Sequence, residues 1–93
     1  MSDPTSLPPL GVKARLVLDE VELELRHALS LHPRMTSVHE GYAIILEELD
    51  ELWQEIKLKS LYRSQEKMRK EAIRVASMAV RFILDTLPAE QEF

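Results

Sequence analysis

Two glycines in 93 residues, with the five prolines held to the two ends and one internal loop, leave almost no turn chemistry for β-hairpins. Strands need frequent reversals, and this chain has few residues that make them. The sequence therefore predicts an all-α fold. At 93 residues it predicts one domain, near the lower end of comfortable single-core size. A hydrophobic content of 45% is ample for folding, and a net charge of -4 is too small for a disordered acidic tail.

Three helical stretches follow from the periodicity. Residues 1–10 hold Pro4, Pro8 and Pro9 and read as an extended N-terminal arm. The domain proper is expected over 11–88, with a short C-terminal tail at 89–93. The first helix is expected from about Val12 to about Leu31, on a stripe of Leu16, Val17, Val21, Leu25, Ala28 and Leu29. Pro33 biases the residue before it away from helix and closes the stretch. The second helix opens on Ser37-Val38-His39-Glu40, a capping box in which hydroxyl and carboxylate satisfy reciprocal backbone N–H groups. It is expected to reach about Lys59. The third is expected from near Ser64 to Leu87, before Pro88.

The second helix divides lengthwise. Val38, Tyr42, Ile45, Leu46, Leu49, Leu52, Trp53 and Ile56 span an arc of about 120°. Glu40, Glu47, Glu48, Glu51 and Glu55 fill an adjoining arc of about 100°, broken only by Ile44. Glu48 stands at the border of the two. Tyr42 and Trp53 are expected in the core, with base stacking as the alternative use of such rings. The third helix has apolar residues over about 240° of its circumference. One layer of three helices cannot bury so broad a face, so the expected fold is a small antiparallel bundle of about three main helices, completed by homo-oligomerisation. Ala72, Ala76 and Ala79 would allow close helix approach.

One residue interrupts that broad face. The helical neighbours of Glu71 are Val75, Met78 and Phe82. A carboxylate in such a setting is costly unless paired, protonated or bound to a cation. Glutamates at i and i+3, such as Glu48 and Glu51, can reach one ion, and Glu71 would approach from the next helix. The plainer alternative for Glu71 is a salt bridge with an arginine, Arg74 or Arg81 of another chain.

No other chemistry stands out. The chain has no cysteine, which excludes disulfides and thiolate metal sites and fits a cytoplasmic protein. The longest apolar run, Tyr42 to Leu46, is far too short to cross a bilayer, and the first residues do not read as a signal peptide. The acidic balance disfavours nonspecific nucleic-acid binding. His27, His32 and His39 lack metal-ligand spacing and are expected in surface or capping roles. Lys67, Lys70 and Arg63 lie where they could attract phosphates, although such lysines are ordinary on a solvated turn.

The segment from Ser37 to Leu87 resembles the MazG-like all-α nucleoside triphosphate pyrophosphohydrolases. The family pattern is EExxE on one helix, a spacer, and ExxD on the next. This chain has Glu47-Glu48-Leu49-Asp50-Glu51, nineteen intervening residues, and Glu71-Ala72-Ile73-Arg74. The run His39-Glu40-Gly41-Tyr42-Ala43 also resembles small members of the group. The resemblance implies an enzyme that cleaves a nucleoside triphosphate, ribo or deoxy, to monophosphate and pyrophosphate in nucleotide-pool housekeeping. It implies Glu48, Glu51 and Glu71 as catalytic Mg²⁺ ligands, with Mn²⁺ as a substitute and Glu47 or Glu55 completing or orienting the site. Arg74, Lys67, Lys70 and Trp53 are the candidate substrate contacts. A homodimer or homotetramer is the expected assembly, with no membrane or nucleic-acid partner.

Arg74 departs from the pattern, since a cation cannot ligate Mg²⁺ and repels one nearby. Three readings stay open. Glu47 or Glu55 completes the ligand set; Arg74 contacts a substrate phosphate; or the site is degenerate, and Arg74 neutralises the acids in a helical binding or assembly module.

Overall fold

A computed structural model describes residues 6–87. Residues 1–5 of the expected arm and the expected tail at 89–93 lie outside the described residues. The described part is all-α: α1 (Val12–Leu31), α2 (Val38–Ile56) and α3 (Gln65–Thr86), with a one-turn 3-10 segment at Ser60–Tyr62. No strand occurs among the described residues.

Local chemistry sets the ends of each helix. α1 stops at His32, whose N–H still donates to Ala28 O, and Pro33 prevents a further turn. At the start of α2, Ser37 Oγ accepts from Glu40 N at 3.0 Å, the first half of the expected capping box. The second half differs. The Glu40 carboxylate takes Thr36 Oγ1 at 2.7 Å and Thr36 N at 3.4 Å, one residue earlier than the serine N–H expected. Threonine offers two donors there, so the carboxylate gains a hydroxyl by reaching back.

α2 ends at Ile56, three residues short of the expected Lys59. Arg63 explains the early stop: its Nε donates to Ile56 O at 2.8 Å and Leu58 O at 2.9 Å, taking carbonyls that another helical turn would need. Ser64 then caps α3, its Oγ accepting from Lys67 N at 3.1 Å.

α3 is the central element. It packs against α2 on one side and α1 on the other, while α1 and α2 do not pack together. The contacts of Gly41 with Phe82 and Glu55 with Ser64 show α2 antiparallel to α3. The pairs Glu20–Arg69 and Glu24–Arg74 show α1 running parallel to α3. The 32–37 loop therefore crosses the end of α3, and the expected antiparallel order holds only between consecutive helices.

The small core gathers beneath that crossing. Met35, from the loop, is 2% exposed and packs with Ala28 and Met78, bordered by Ile44, Ile45 and Phe82. Gly41 lets α2 approach closely there, because a Cβ would collide with the Phe82 ring. Two buried polar groups fix the crossing. Ser77 Oγ lies 2.8 Å from Ile73 O and 3.2 Å from Val21 O, which seats α1 on α3. Arg81, 4% exposed, donates from Nη2 to Pro33 O at 2.7 Å and has its Nε 3.5 Å from Asp85 Oδ2. Asp85 Oδ2 also accepts from Met35 N at 3.0 Å, so one carboxylate holds loop and arginine together.

Tyr42 and Trp53, expected in the core, are instead 62% and 56% exposed. α2 meets α3 along the seam of Gly41, Ile44, Glu48, Leu52 and Glu55, where its acidic and apolar arcs join. The middle of the apolar arc is left outside. Among the described residues, no helix is long and apolar enough to cross a membrane.

Candidate metal centre

The seam contact brings the acids of two helices together. Glu48 and Glu51 lie one turn apart on α2, and Glu71 faces them from α3. Each offers a carboxylate oxygen, and these oxygens lie within 4.8 Å of one another. Oxygens around an octahedral Mg²⁺ are about 3 to 4 Å apart, so a rotamer adjustment would fit them to one ion. Glu48 Oε2 and Glu71 Oε2 are buried without a hydrogen-bond partner. Such orphaned acceptors need explanation; a proton on Glu48, hydrogen-bonded to Glu71, or a hard divalent cation would supply it.

Electrostatics show the same crowding. The Glu48 carboxyl is pushed up from its ordinary 4.5 to about 7, first by burial and then by the negative charges of Glu51 and Glu71. Arg74 opposes the rise. Three carboxylates so close cannot all ionise freely without a counter-charge.

Arg74 supplies part of that charge. Its Nη1 donates to Glu71 Oε1 at 3.2 Å, while its Nε lies 3.7 Å from Glu24 Oε1 on α1. The arginine paired with Glu71 is thus on the same helix. Arg81 belongs to the loop crossing and does not serve Glu71. Glu71 keeps its second oxygen unpaired, so Arg74 satisfies half of this carboxylate.

The other sequence candidates separate. Glu55 Oε1 accepts from Ser64 N at 2.6 Å, tying α2 to the start of α3 outside the three-acid group. Glu47 lines a cleft beside that group, together with Glu48 and Arg74. Lys70 lines a different hollow, between α1 and α3. Lys67 is exposed in the first turn of α3, and Trp53 is exposed on α2.

The cleft beside the acids opens because α1 and α2 stand apart across α3. It encloses about 400 Å³, within the range of small-molecule sites. α1 contributes Glu24 and His27, α2 contributes Glu40, Ile44, Glu47 and Glu48, and α3 contributes Arg74, Met78 and Arg81. Glu24, which pairs with Arg74 and lines the cleft, is not among the residues the acidic motif singles out. Its signal was present: Glu24 stands three residues after Val21 and four before Ala28, an acid on the packing face of α1.

Comparison of the chain with protein-family models, curated proteins and solved structures gives no match in any of the three.

Proposed function

We propose that this protein is a Mg²⁺-dependent nucleoside triphosphate pyrophosphohydrolase. The observation that carries this reading is the convergence of Glu48, Glu51 and Glu71, with two oxygens orphaned, at the edge of a ligand-sized cleft. The three glutamates would hold the ion, with Mn²⁺ a workable replacement. When bound, the ion would neutralise phosphate charge and acidify a water for attack on a phosphoanhydride.

The chain's own residues do the rest. Glu47 lines the cleft, so it would complete or orient the site, or serve as a general base for an attacking water. Arg74, steadied by Glu24 and Glu71, holds a planar fork toward the cleft, suited to phosphate oxygens. Met78 and Ile44 give the cleft an apolar patch. The test is pyrophosphate release from a panel of ordinary and modified nucleoside triphosphates, with and without Mg²⁺. Glu51→Ala should lower metal-dependent turnover by at least ~100-fold, as expected for removal of charge stabilisation from such a transition state. Turnover as fast as the parent contradicts the reading.

One observation favours a second reading. The Arg74–Glu71 pair is what a degenerate site would use, with arginine in place of a metal. The protein would then be a helical binding or assembly module. In that case the parent chain binds no Mg²⁺ and Arg74→Asp creates affinity for it.

A further inference from the structure

Arg74 hangs between two acids and closes on neither. Its Nη1 donates to Glu71 Oε1 at 3.2 Å, and its Nε lies 3.7 Å from Glu24 Oε1 on α1. Bonds from arginine to carboxylate usually measure about 2.7–2.9 Å, and the planar fork grips best when both its bonds go to one carboxylate. The side chains are 34% exposed for Arg74, 31% for Glu24 and 16% for Glu71, so water screens their charges only in part. The guanidinium is therefore shared, and a small push settles it on one side.

Glu71 cannot serve a divalent cation fully while it pairs with Arg74, since two positive charges on one carboxylate repel each other. The guanidinium then needs a different acid within reach. Glu24 already touches it, and a movement on the order of 1 Å brings that contact to hydrogen-bond length. Arg74 stands where the resembled pattern has an acid, and Glu24 gives that cation a place to go. The docking of α1 does not hang on this pair. Ala28 in the core, Ser77 Oγ on Val21 O, and Arg69 with Glu20 also hold α1 to α3.

Resting on the metal-dependent reading above, we propose that Glu24 is a positioning residue of the metal centre: it draws Arg74 off Glu71 when a divalent cation binds, and so sets how tightly the three glutamates hold that ion. α1 thereby gains a task in a site whose metal ligands all lie on α2 and α3. Both partners of the pair stay on the cleft wall.

Calorimetric titration of the full chain with Mn²⁺ tests this, with folding read by circular dichroism. Arg74→Met keeps the apolar stem and removes the competing charge, so it should bind about 10-fold tighter than the parent. Glu24→Gln leaves Arg74 with Glu71 alone and should bind about 5-fold more weakly. On the Arg74→Met background the same Glu24→Gln should change affinity by less than about 2-fold, because no guanidinium is left to hold. A plain loss of negative charge would weaken binding equally in both backgrounds. Glu20→Gln, one turn away and paired with Arg69, is the charge control and should stay within about 2-fold of the parent. A second measurement needs only the folded parent. Saturating Mg²⁺ should shift the Arg74 Nε–H signal in a nitrogen-edited NMR spectrum, assigned by its loss in Arg74→Met. Equal weakening by Glu24→Gln in both backgrounds, no weakening in either, or an Arg74 signal that does not move overturns the proposal and leaves the metal site standing. Mn²⁺ binding by Arg74→Met but not by the parent shows a guanidinium that never yields, and also overturns it. Absence of binding in every variant removes the metal site itself, and the proposal with it.

Discussion

At the scale of single residues, Glu48 is where burial and like charge cost the fold stability. Its carboxyl is raised to about 7, so the folded state holds a proton that the unfolded chain releases near 4.5. Between those values the unfolded state binds fewer protons, and stability falls as pH rises. The penalty from this group is absent below about 4.5 and complete above about 7. Glutamine mimics the protonated carboxyl without its titration. Metal-free Glu48→Gln should therefore match the parent near pH 4.5 and melt about 4 °C higher at pH 8. Thermal unfolding from pH 4.5 to 8 reads the gap. A gap that stays constant, or closes as pH rises, contradicts this account of Glu48. Glu71 was legible as an anomaly in the sequence because its helical neighbours are apolar. The division of its two oxygens, one to Arg74 and one left over, was not legible, since it depends on where Glu24 holds the guanidinium.

At the scale of elements, polar side chains do the joining. Glu55 and Arg63 bind the two ends of the connection after α2, and Asp85 with Arg81 clamps the loop before it. Removing Asp85 leaves the Arg81 charge buried beside a carbonyl and a thioether, without its carboxylate. Loss of one partner of such a pair costs about 3–5 kcal/mol. Asp85→Ala should lower the urea midpoint accordingly, and a change within about 0.5 kcal/mol would show the clamp to be dispensable. Helix starts were readable from Ser37 and Ser64, whose hydroxyls cap as their positions suggest. The end of α2 was not, because the residue that ends it, Arg63, acts from seven positions downstream. Periodicity gave the apolar arc of α2 but not which edge of it α3 would occupy. Tyr42 and Trp53 lie on that arc yet stay outside the core for that reason.

At the scale of the molecule, the arrangement of α1 and α2 on opposite sides of α3 makes two unlike faces. One carries a charged cleft with three converging glutamates at its edge; the other exposes apolar residues of α2 and α3. Composition alone indicated an all-helical chain, and the breadth of the apolar sector on α3 indicated more surface than three helices could hide. The parallel packing of α1 on α3 could not be read in advance, since it follows from a loop that crosses above Asp85. The account turns on the crowding of Glu48, Glu51 and Glu71 being relieved by a divalent cation. Calorimetric titration of metal-free protein with Mg²⁺ and Mn²⁺ at pH 7, in two buffers of different ionisation heat, measures this directly. The account predicts saturable binding, release of part of a proton as Glu48 ionises, and loss of both in Glu51→Ala. An absence of binding up to millimolar metal, or equal binding by Glu51→Ala, would contradict it.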